Sequence, residues 1–577
     1  MTGVMLAVLG VAAAAIPSTP DPAAAAPGAP PVPERYAGQQ IDWKPCFARE
    51  GATLPPVMPS GSEVLECGSF AVPRDWDRPD AGVDLTIAVS RLRPPGGEAP
   101  RGSLFTNPGG PGAPGTFVPL LFLITRRTDL LANFEVIGID VRGTGESTNV
   151  TCALQAETGA SLDPRDRDPG NTDLILDATE YVANACQQSA GDLGPFITTR
   201  QTVADLDLLR ALLGREKVSY VGYSGGTWIG AHYATYFPDR VDRFVLDANA
   251  EFTAPWQTVF SRQSLGFQRR LDVDFLPYIA ANDDHFHLGA TPEGVWAAYE
   301  KLRASLAAEP LQLGEEDEDV VYPTTLDLGL AGALYSGGAF QQAGEDLKAL
   351  SEAVAARDAG VESGETMPPG EREALARRMA AARRASASGG LRPLSPDAFI
   401  STFLSIVCND TPWVGDRASL VEASAASGAA HPFVGWYDLS NPCVFWDRPP
   451  VEVRTPTGDG VPPVLMVNSE RDPATPIEGA RAAADAFAGA RLLTVTDEGD
   501  HGTYAIRENA CVDGIVEAYL IDGVVPEGDL TCPGVPIPPP DPAPSAGDVL
   551  DLLDLLGVGT AAERTYVLAE LAGPLTR

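Results

Sequence analysis

From about residue 63 the chain alternates between short runs of consecutive apolar residues and longer stretches in which apolar positions recur every three or four residues. EVLECGSFAVP (63–73) and VDLTIAVSRLRP (83–94) are β-rich and close enough in sequence to pair as an antiparallel lead-in. GSLFTNPGG (102–110), FEVIGIDVRG (134–143), KVSYVGYS (217–224) and DRFVLDA (242–248) are short apolar runs that end in Gly, Asp or Ser. Helical patterns such as TVADLDLLRALLG (202–214) and TWIGAHYATYF (227–237) separate them. Continuous apolar strands alternating with amphipathic helices predict a mostly parallel sheet covered by helices on both faces, an α/β class.

The alternation breaks after residue 251, where the text becomes helix-rich and polar. It resumes at PPVLMVNSERD (462–472), the helical IEGARAAADAFAG (477–489) and the strand RLLTVTDEGDH (491–501). The economical division is a leader at 1–40, the first part of an α/β core at 41–251 and a helical cap inserted at 252–450. The second part of the core follows at 451–532, with a proline-rich spacer and leucine-rich tail at 533–577. Two separate domains would leave the second with too few strands for a sheet.

Charge and cysteine usage narrow the functional classes. With 78 Asp+Glu against 41 Lys+Arg, the formal net charge is -37, a field that repels phosphate backbones and anionic lipid, so no nucleic-acid partner and no membrane association is expected. VMLAVLGVAAAAI (4–16) is an apolar core too short to span a bilayer, and with the Ala/Pro-rich run behind it reads as a secretory signal. No Lys or Arg precedes it, a departure from the usual basic start, and an Ala/Pro-rich tail is the alternative. Eight cysteines without a CxxC, in a chain expected to be exported, favour structural disulfides over metal ligation. Neighbour pairing, the simplest connectivity, joins Cys46 to Cys67, Cys152 to Cys186, Cys408 to Cys443 and Cys511 to Cys532. No metal site and no cofactor is expected.

Gly222-Tyr223-Ser224-Gly225-Gly226 fits G-x-S-x-G, and an apolar strand runs into it while a helix runs out. On such an elbow the serine is held in strained backbone angles with its hydroxyl above the carboxyl edge of the sheet, which marks Ser224 as a nucleophile. A serine needs a base, and the base an orienting acid. Of the five histidines, His232 lies in the helix after the elbow, and His285 and His287 lie in the insertion beside Asp283 and Asp284. His431 lies in the insertion too, whereas His501 follows the final strand, where the base falls in the order Ser…Asp/Glu…His. Asp472 stands just beyond the preceding strand, with Glu470 the near alternative; Asp497 and Asp500 are too close in sequence to His501. The N–H of Gly225 is one natural oxyanion donor, and the N–H of Gly110, in the glycine-dense NPGGPG turn (107–112), is the second.

NPGGPG, DVRGTGES (140–147), GYSGGT, SERDPATP and GDHG together resemble the α/β-hydrolase-fold aminopeptidases related to prolyl iminopeptidase, above all the secreted tripeptidyl aminopeptidases of actinomycetes. YIAANDDHFHLG, VCND and WYDLSNPCVFW resemble the insertion of that group, so the resemblance runs from about Trp43 to Cys532. It implies an α/β-hydrolase fold and a metal-free serine exopeptidase acting on peptides with a free N-terminus, with Ser224, Asp472 and His501 as its triad. Gly225 departs from the larger residue that many relatives carry there. Measuring a tripeptide requires an anchor for the substrate ammonium, and Glu251 and Asp410 are the candidates, although most acidic residues of so acidic a chain are solvated surface. The same triad serves esters, so a carboxylesterase or lipase-like hydrolase is the second reading and a non-catalytic binding protein of this fold the third.

Overall fold

The computed structural model describes residues 32–46, 65–153, 162–314, 320–360, 369–383, 395–447, 451 and 453–541. The apolar stretch read as an export signal and the leucine-rich tail lie outside the described residues. The strands, in chain order, are β1 (Lys44–Pro45), β2 (Leu65–Pro73), β3 (Asp84–Leu92), β4 (Ser103–Asn107), β5 (Glu135–Ile139), β6 (Val218–Tyr223) and β7 (Val241–Asp247). They continue with β8 (Leu311–Gln312), β9 (Val320–Val321), β10 (Leu465–Ser469), β11 (Arg491–Thr496) and β12 (Leu530–Pro533). All but β8 and β9 form one sheet in the order β1-β2-β3-β5-β4-β6-β7-β10-β11-β12. β2 pairs antiparallel with β3 from Leu65 opposite Leu92 to Pro73 opposite Asp84, the lead-in expected from the sequence. From β5 to β12 every neighbouring pair is parallel.

Every residue of β4, β5, β6 and β10 is buried, as continuous apolar runs require when helices cover both faces of a sheet. Successive side chains alternate faces. Phe105, Ile137, Tyr220 and Met466 enter the apolar cluster that also holds Trp228 and Trp256. Leu104, Val136, Val221 and Leu465 enter the opposite one with Tyr504 and Val516. Between β7 and β10 the described chain is helical apart from the β8–β9 ribbon, and Leu271, Phe275, Leu302, Leu350 and Phe433 give it an apolar cluster of its own. Among the described residues no helix is long and apolar enough to cross a membrane.

Two edge strands escaped the sequence reading. β1 has two residues, both exposed, and β12 has four, of which only Cys532 is buried, so neither carries an apolar run. Both edges are fastened covalently: Cys46 of the β1 turn is bonded to Cys67 of β2, and Cys532 of β12 to Cys511. Cys152 is bonded to Cys186 and Cys408 to Cys443, so all four bonds follow the neighbour pairing.

The DVRG segment after β5 braces the loops around the carboxyl ends of these strands. The Asp140 carboxylate accepts the N–H groups of Gly115 and Thr116, at 2.8 and 2.9 Å, and so fixes the loop that follows β4. Arg142, fully buried, makes two bonds to Asp205 at 2.7 and 2.6 Å and donates to the carbonyls of Pro73, Arg74 and Phe196. Breaking such a pair from one side leaves a buried charge without compensation. Arg142→Met is expected to lower unfolding free energy by about 3–5 kcal/mol in urea titrations, and pairing it with Asp205→Asn is expected to recover part of that loss.

Candidate active site

β6 ends at Tyr223, and the helix Gly225–Tyr236 starts one residue beyond Ser224. Between them Ser224 has φ 54 and ψ -124, a left-handed backbone that costs a non-glycine residue about 1–3 kcal/mol. It is held from both sides. The Ser224 N–H donates to the Asp247 carbonyl at 3.0 Å, and the Ser224 carbonyl accepts the Thr227 N–H at 2.9 Å and its hydroxyl at 2.6 Å. A side chain at Gly226 would put Cβ 2.7 Å from the Asn107 carbonyl oxygen, so the small residue is needed for the elbow to lie on β4.

The turn after β4 packs directly on this elbow. Asn107 Oδ1 accepts the Gly109 N–H at 2.9 Å. Gly109 has φ 103, and a Cβ there would lie 2.4 Å from the Tyr223 carbonyl oxygen. The two glycines expected to donate to an oxyanion are brought together: a Cβ on Gly225 would be 2.9 Å from the Gly110 carbonyl carbon. Gly225 is the first residue of its helix, so its N–H has no partner within that helix. Over this turn lies the helix Ala398–Asp410, with the Phe399 ring against Gly110 and Thr402 against Gly112. Neither contact has a signature in the sequence, because both depend on the insertion folding back over the core.

Asp472 follows β10 and is fully buried. Its Oδ1 accepts the N–H groups of Ala474 and Thr475 at 2.9 and 2.8 Å, and its Oδ2 accepts the Thr475 hydroxyl at 2.9 Å. The PATP segment therefore folds around the carboxylate before the helix Ile477–Ala486 begins. His501 Nδ1 lies 2.9 and 3.0 Å from the two carboxylate oxygens. That contact puts the proton on Nδ1 and the basic lone pair on Nε2. The loop of His501 is tied in three places: its own N–H donates to the Tyr335 carbonyl at 2.8 Å, Ser469 Oγ donates to the Asp500 carbonyl at 2.6 Å, and the Tyr335 ring stands edge-on to the imidazole with centroids 5.1 Å apart.

The other acids and histidines have different employment. Glu470 accepts the Asp497 N–H at 3.0 Å, and the Asp500 carboxylate bridges Arg270 and Arg507 at 2.5 and 3.0 Å. His232 is buried with Nδ1 on the Trp228 carbonyl, and burial pushes its pKa down to about 4. His285 meets Glu345, and His431 meets Ser264. Among the described residues no group of three or more His, Cys, Asp or Glu is arranged to hold a metal ion.

The two carboxylates expected to receive a substrate ammonium are not open to one. Glu251 is buried against Arg262, with Oε2 2.6 Å from Nε. Asp410, 1% exposed, accepts the Thr199 N–H at 2.9 Å, at the start of the helix Thr199–Leu212. In the sequence Glu251 stands just past the strand ending in DANA and Asp410 within VCND; packing of the helix Ala398–Asp410 onto the core closes the second, and Arg262 engages the first.

Comparison with known proteins finds relatives along most of the chain. A family model described as alpha/beta hydrolase fold matches residues 104–329, and one described as TAP-like protein matches 431–532. The chain is 32% identical over 513 residues to the tripeptidyl aminopeptidase of Streptomyces lividans, covering 86% of this chain and 87% of that one. It is 29% identical over 528 residues to the serine protease Hip1 of Mycobacterium tuberculosis, covering 86% and 92%. To carboxylesterase B of the same organism it is 30% identical over 525 residues, covering 88% and 91%.

Burial pushes the Asp410 carboxyl up to about 6, the bond from Thr199 opposing it. The native state thus holds this proton more tightly than the unfolded chain, so the stability contributed by Asp410 is full near pH 4 and is lost as pH rises through about 6. Asp410→Asn keeps the acceptor for Thr199 and removes the buried charge. Its thermal midpoint is expected to exceed that of wild type near neutral pH, with the difference closing toward pH 4 in paired calorimetric scans.

Proposed function

We propose, because the chain belongs to the tripeptidyl aminopeptidase family of α/β hydrolases, that it is an exopeptidase which cuts near a free N-terminus and releases tripeptides. Membership makes it a serine peptidase of the α/β-hydrolase type. In the proposed reaction Ser224 Oγ attacks the scissile carbonyl carbon while His501 Nε2 takes the hydroxyl proton. The N–H groups of Gly110 and Gly225 receive the negative oxygen of the tetrahedral intermediate. His501 then returns the proton to the departing amine nitrogen as the C–N bond breaks, leaving an acyl group on Ser224 that water removes by the same sequence. Asp472 holds the tautomer and stabilises the imidazolium. The observation that carries the reading is the 2.9 Å contact of His501 Nδ1 with a carboxylate already fastened by three other donors, in the loop that closes on the Ser224 elbow.

Residues 252–450 are taken as the cap that encloses the N-terminal side of the substrate, and with Glu251 and Asp410 engaged, the ammonium falls to other acceptors of that segment. Four disulfides and the apolar stretch at 4–16 support export to an oxidising compartment. Carboxylesterase action is the second reading, favoured by the 30% identity to a relative of that name.

A panel of chromogenic amides of one, two and three residues, with free and acetylated N-termini, separates the two readings when run beside a simple ester. Release from the free tripeptide amide, abolished by acetylation, is the expected result; turnover of the ester alone would establish the second reading. Ser224→Ala is expected to abolish turnover, and an unchanged rate would remove the mechanism. Asp472→Asn, which presents His501 with the wrong tautomer, is expected to lower kcat by about ten thousand-fold.

A further inference from the structure

Asp247 closes β7, the strand between β6 and β10, and has no part in the reaction as written so far. Its carboxylate is fully buried, and Oδ2 accepts two backbone N–H groups, that of Thr503 at 2.9 Å and that of Tyr504 at 2.7 Å. Those residues stand two and three places beyond His501 in the same loop. The backbone carbonyl of Asp247, in turn, accepts the Ser224 N–H at 3.0 Å. One residue therefore grips the nucleophile's turn with its main chain and the base's loop with its side chain. Tyr223, immediately before Ser224, adds a parallel tie by donating its hydroxyl to the Tyr504 carbonyl at 3.0 Å.

We infer that Asp247 is a positioning residue for acyl transfer: it sets the His501 loop against Ser224, and its negative charge, beside that of Asp472, steadies the imidazolium formed when His501 takes the serine proton. This rests on the reading of Ser224 and His501 given above. An ordinary core carboxylate with satisfied hydrogen bonds would take its donors from any nearby backbone. Here both donors belong to the loop that carries the base, and the strand end that supplies the acceptor is the one that holds the strained serine. A neutral amide at this position could accept the same two N–H groups, so the charge is the part that bears on the chemistry. The charged groups that face it are Asp472 and His501, the first pushing its pKa up and the second down, and burial dominates, raising it to about 6.

The test compares wild type with Asp247→Asn on the free tripeptide amide from about pH 5 to 9, with rates normalised to Ser224 sites titrated by a fluorophosphonate. In wild type the acid limb of kcat/KM is expected to fall with a slope approaching two protons, because Asp247 and His501 both titrate there. In Asp247→Asn kcat is expected to fall by about 100-fold with KM held within about twofold, and the acid limb to become single-proton and move to lower pH as a neighbouring negative charge is lost. A variant whose acid limb stays where wild type has it overturns the inference, whether or not kcat falls, because a merely structural role would leave that limb unmoved. Should the variant not fold, the wild-type slope decides alone, and a single-proton limb overturns the inference. Wild-type protein that the fluorophosphonate fails to label at Ser224 overturns the nucleophile assignment and this inference with it; labelled wild type with an unaltered variant limb sinks this inference only.

Discussion

The left-handed backbone of Ser224 is held between the turn after β4 and the end of β7, both almost in contact with it. The turn after β4 approaches so closely that a Cβ at Gly109 would stand 2.4 Å from the Tyr223 carbonyl oxygen, and one at Gly226 2.7 Å from that of Asn107. An elbow of this kind stores about 1–3 kcal/mol of strain. The surrounding structure over-determines it: β4 and β6 are fully buried neighbours in register from Leu104 opposite Ser219 to Asn107 opposite Gly222. A helix dipole begins at Gly225, and Asp247 supplies the acceptor that β6 lacks beyond its own end. The geometry that favours acyl chemistry is thus a consequence of sheet packing, and the strain at one residue is borne by the whole centre of the sheet.

How much of this could be read from the chain follows from where the signal lies. β4, β5, β6, β7, β10 and β11 are apolar runs, visible because both faces of the sheet are covered. G-x-S-x-G, the acid after β10 and the histidine after β11 are local patterns in fixed order, so Ser224, Asp472 and His501 could be named from spacing. Burial of individual acids has no local signature. Glu251 stands just past the strand ending in DANA and Asp410 within VCND, and nothing in either neighbourhood announces Arg262 or the start of the helix at Thr199 as partners. The placement of Asp247 has no local signature either: its donors, Thr503 and Tyr504, lie about 256 residues away in sequence and meet it only once β7 and the loop after β11 are in place.

The loop that bears His501 is shared between the two halves of the molecule. The His501 N–H is satisfied by Tyr335, which belongs to the insertion, and the next carboxylate back, Asp500, is held by Arg270 of the insertion and Arg507 of the core. Arg270 also meets Asp274, and Asp274 meets Arg471 beside the catalytic-acid candidate. Each charge in this series of ion pairs faces an opposite one, which is the condition for burying it. A displacement of the insertion that carried Tyr335 or Arg270 would therefore be felt at the imidazole, and also at the turn of Asp472, where Gln263 of the insertion donates to the Ala474 carbonyl at 3.0 Å.

That division bears on what sets the choice between amides and esters. An acyl-serine and its oxyanion are the same species whichever leaving group departs, so the elbow, the glycine turn and the His–Asp pair suit both. Relatives of nearly equal identity to this chain are named as a tripeptidyl aminopeptidase and as a carboxylesterase, over similar shares of its length. The discriminating contacts must then lie outside the shared machinery, on whatever covers it. In this molecule the cover is the insertion: Phe399 and Thr402 stand over the turn that would hold the oxyanion, and the Tyr335 ring stands against the base. The helix Ala398–Asp410 is held on the core by the buried contact of Asp410 with Thr199, so whatever selectivity Phe399 and Thr402 lend the proposed site depends on that contact. Asp410 thus contributes by fastening that helix to the core rather than by meeting a substrate's ammonium.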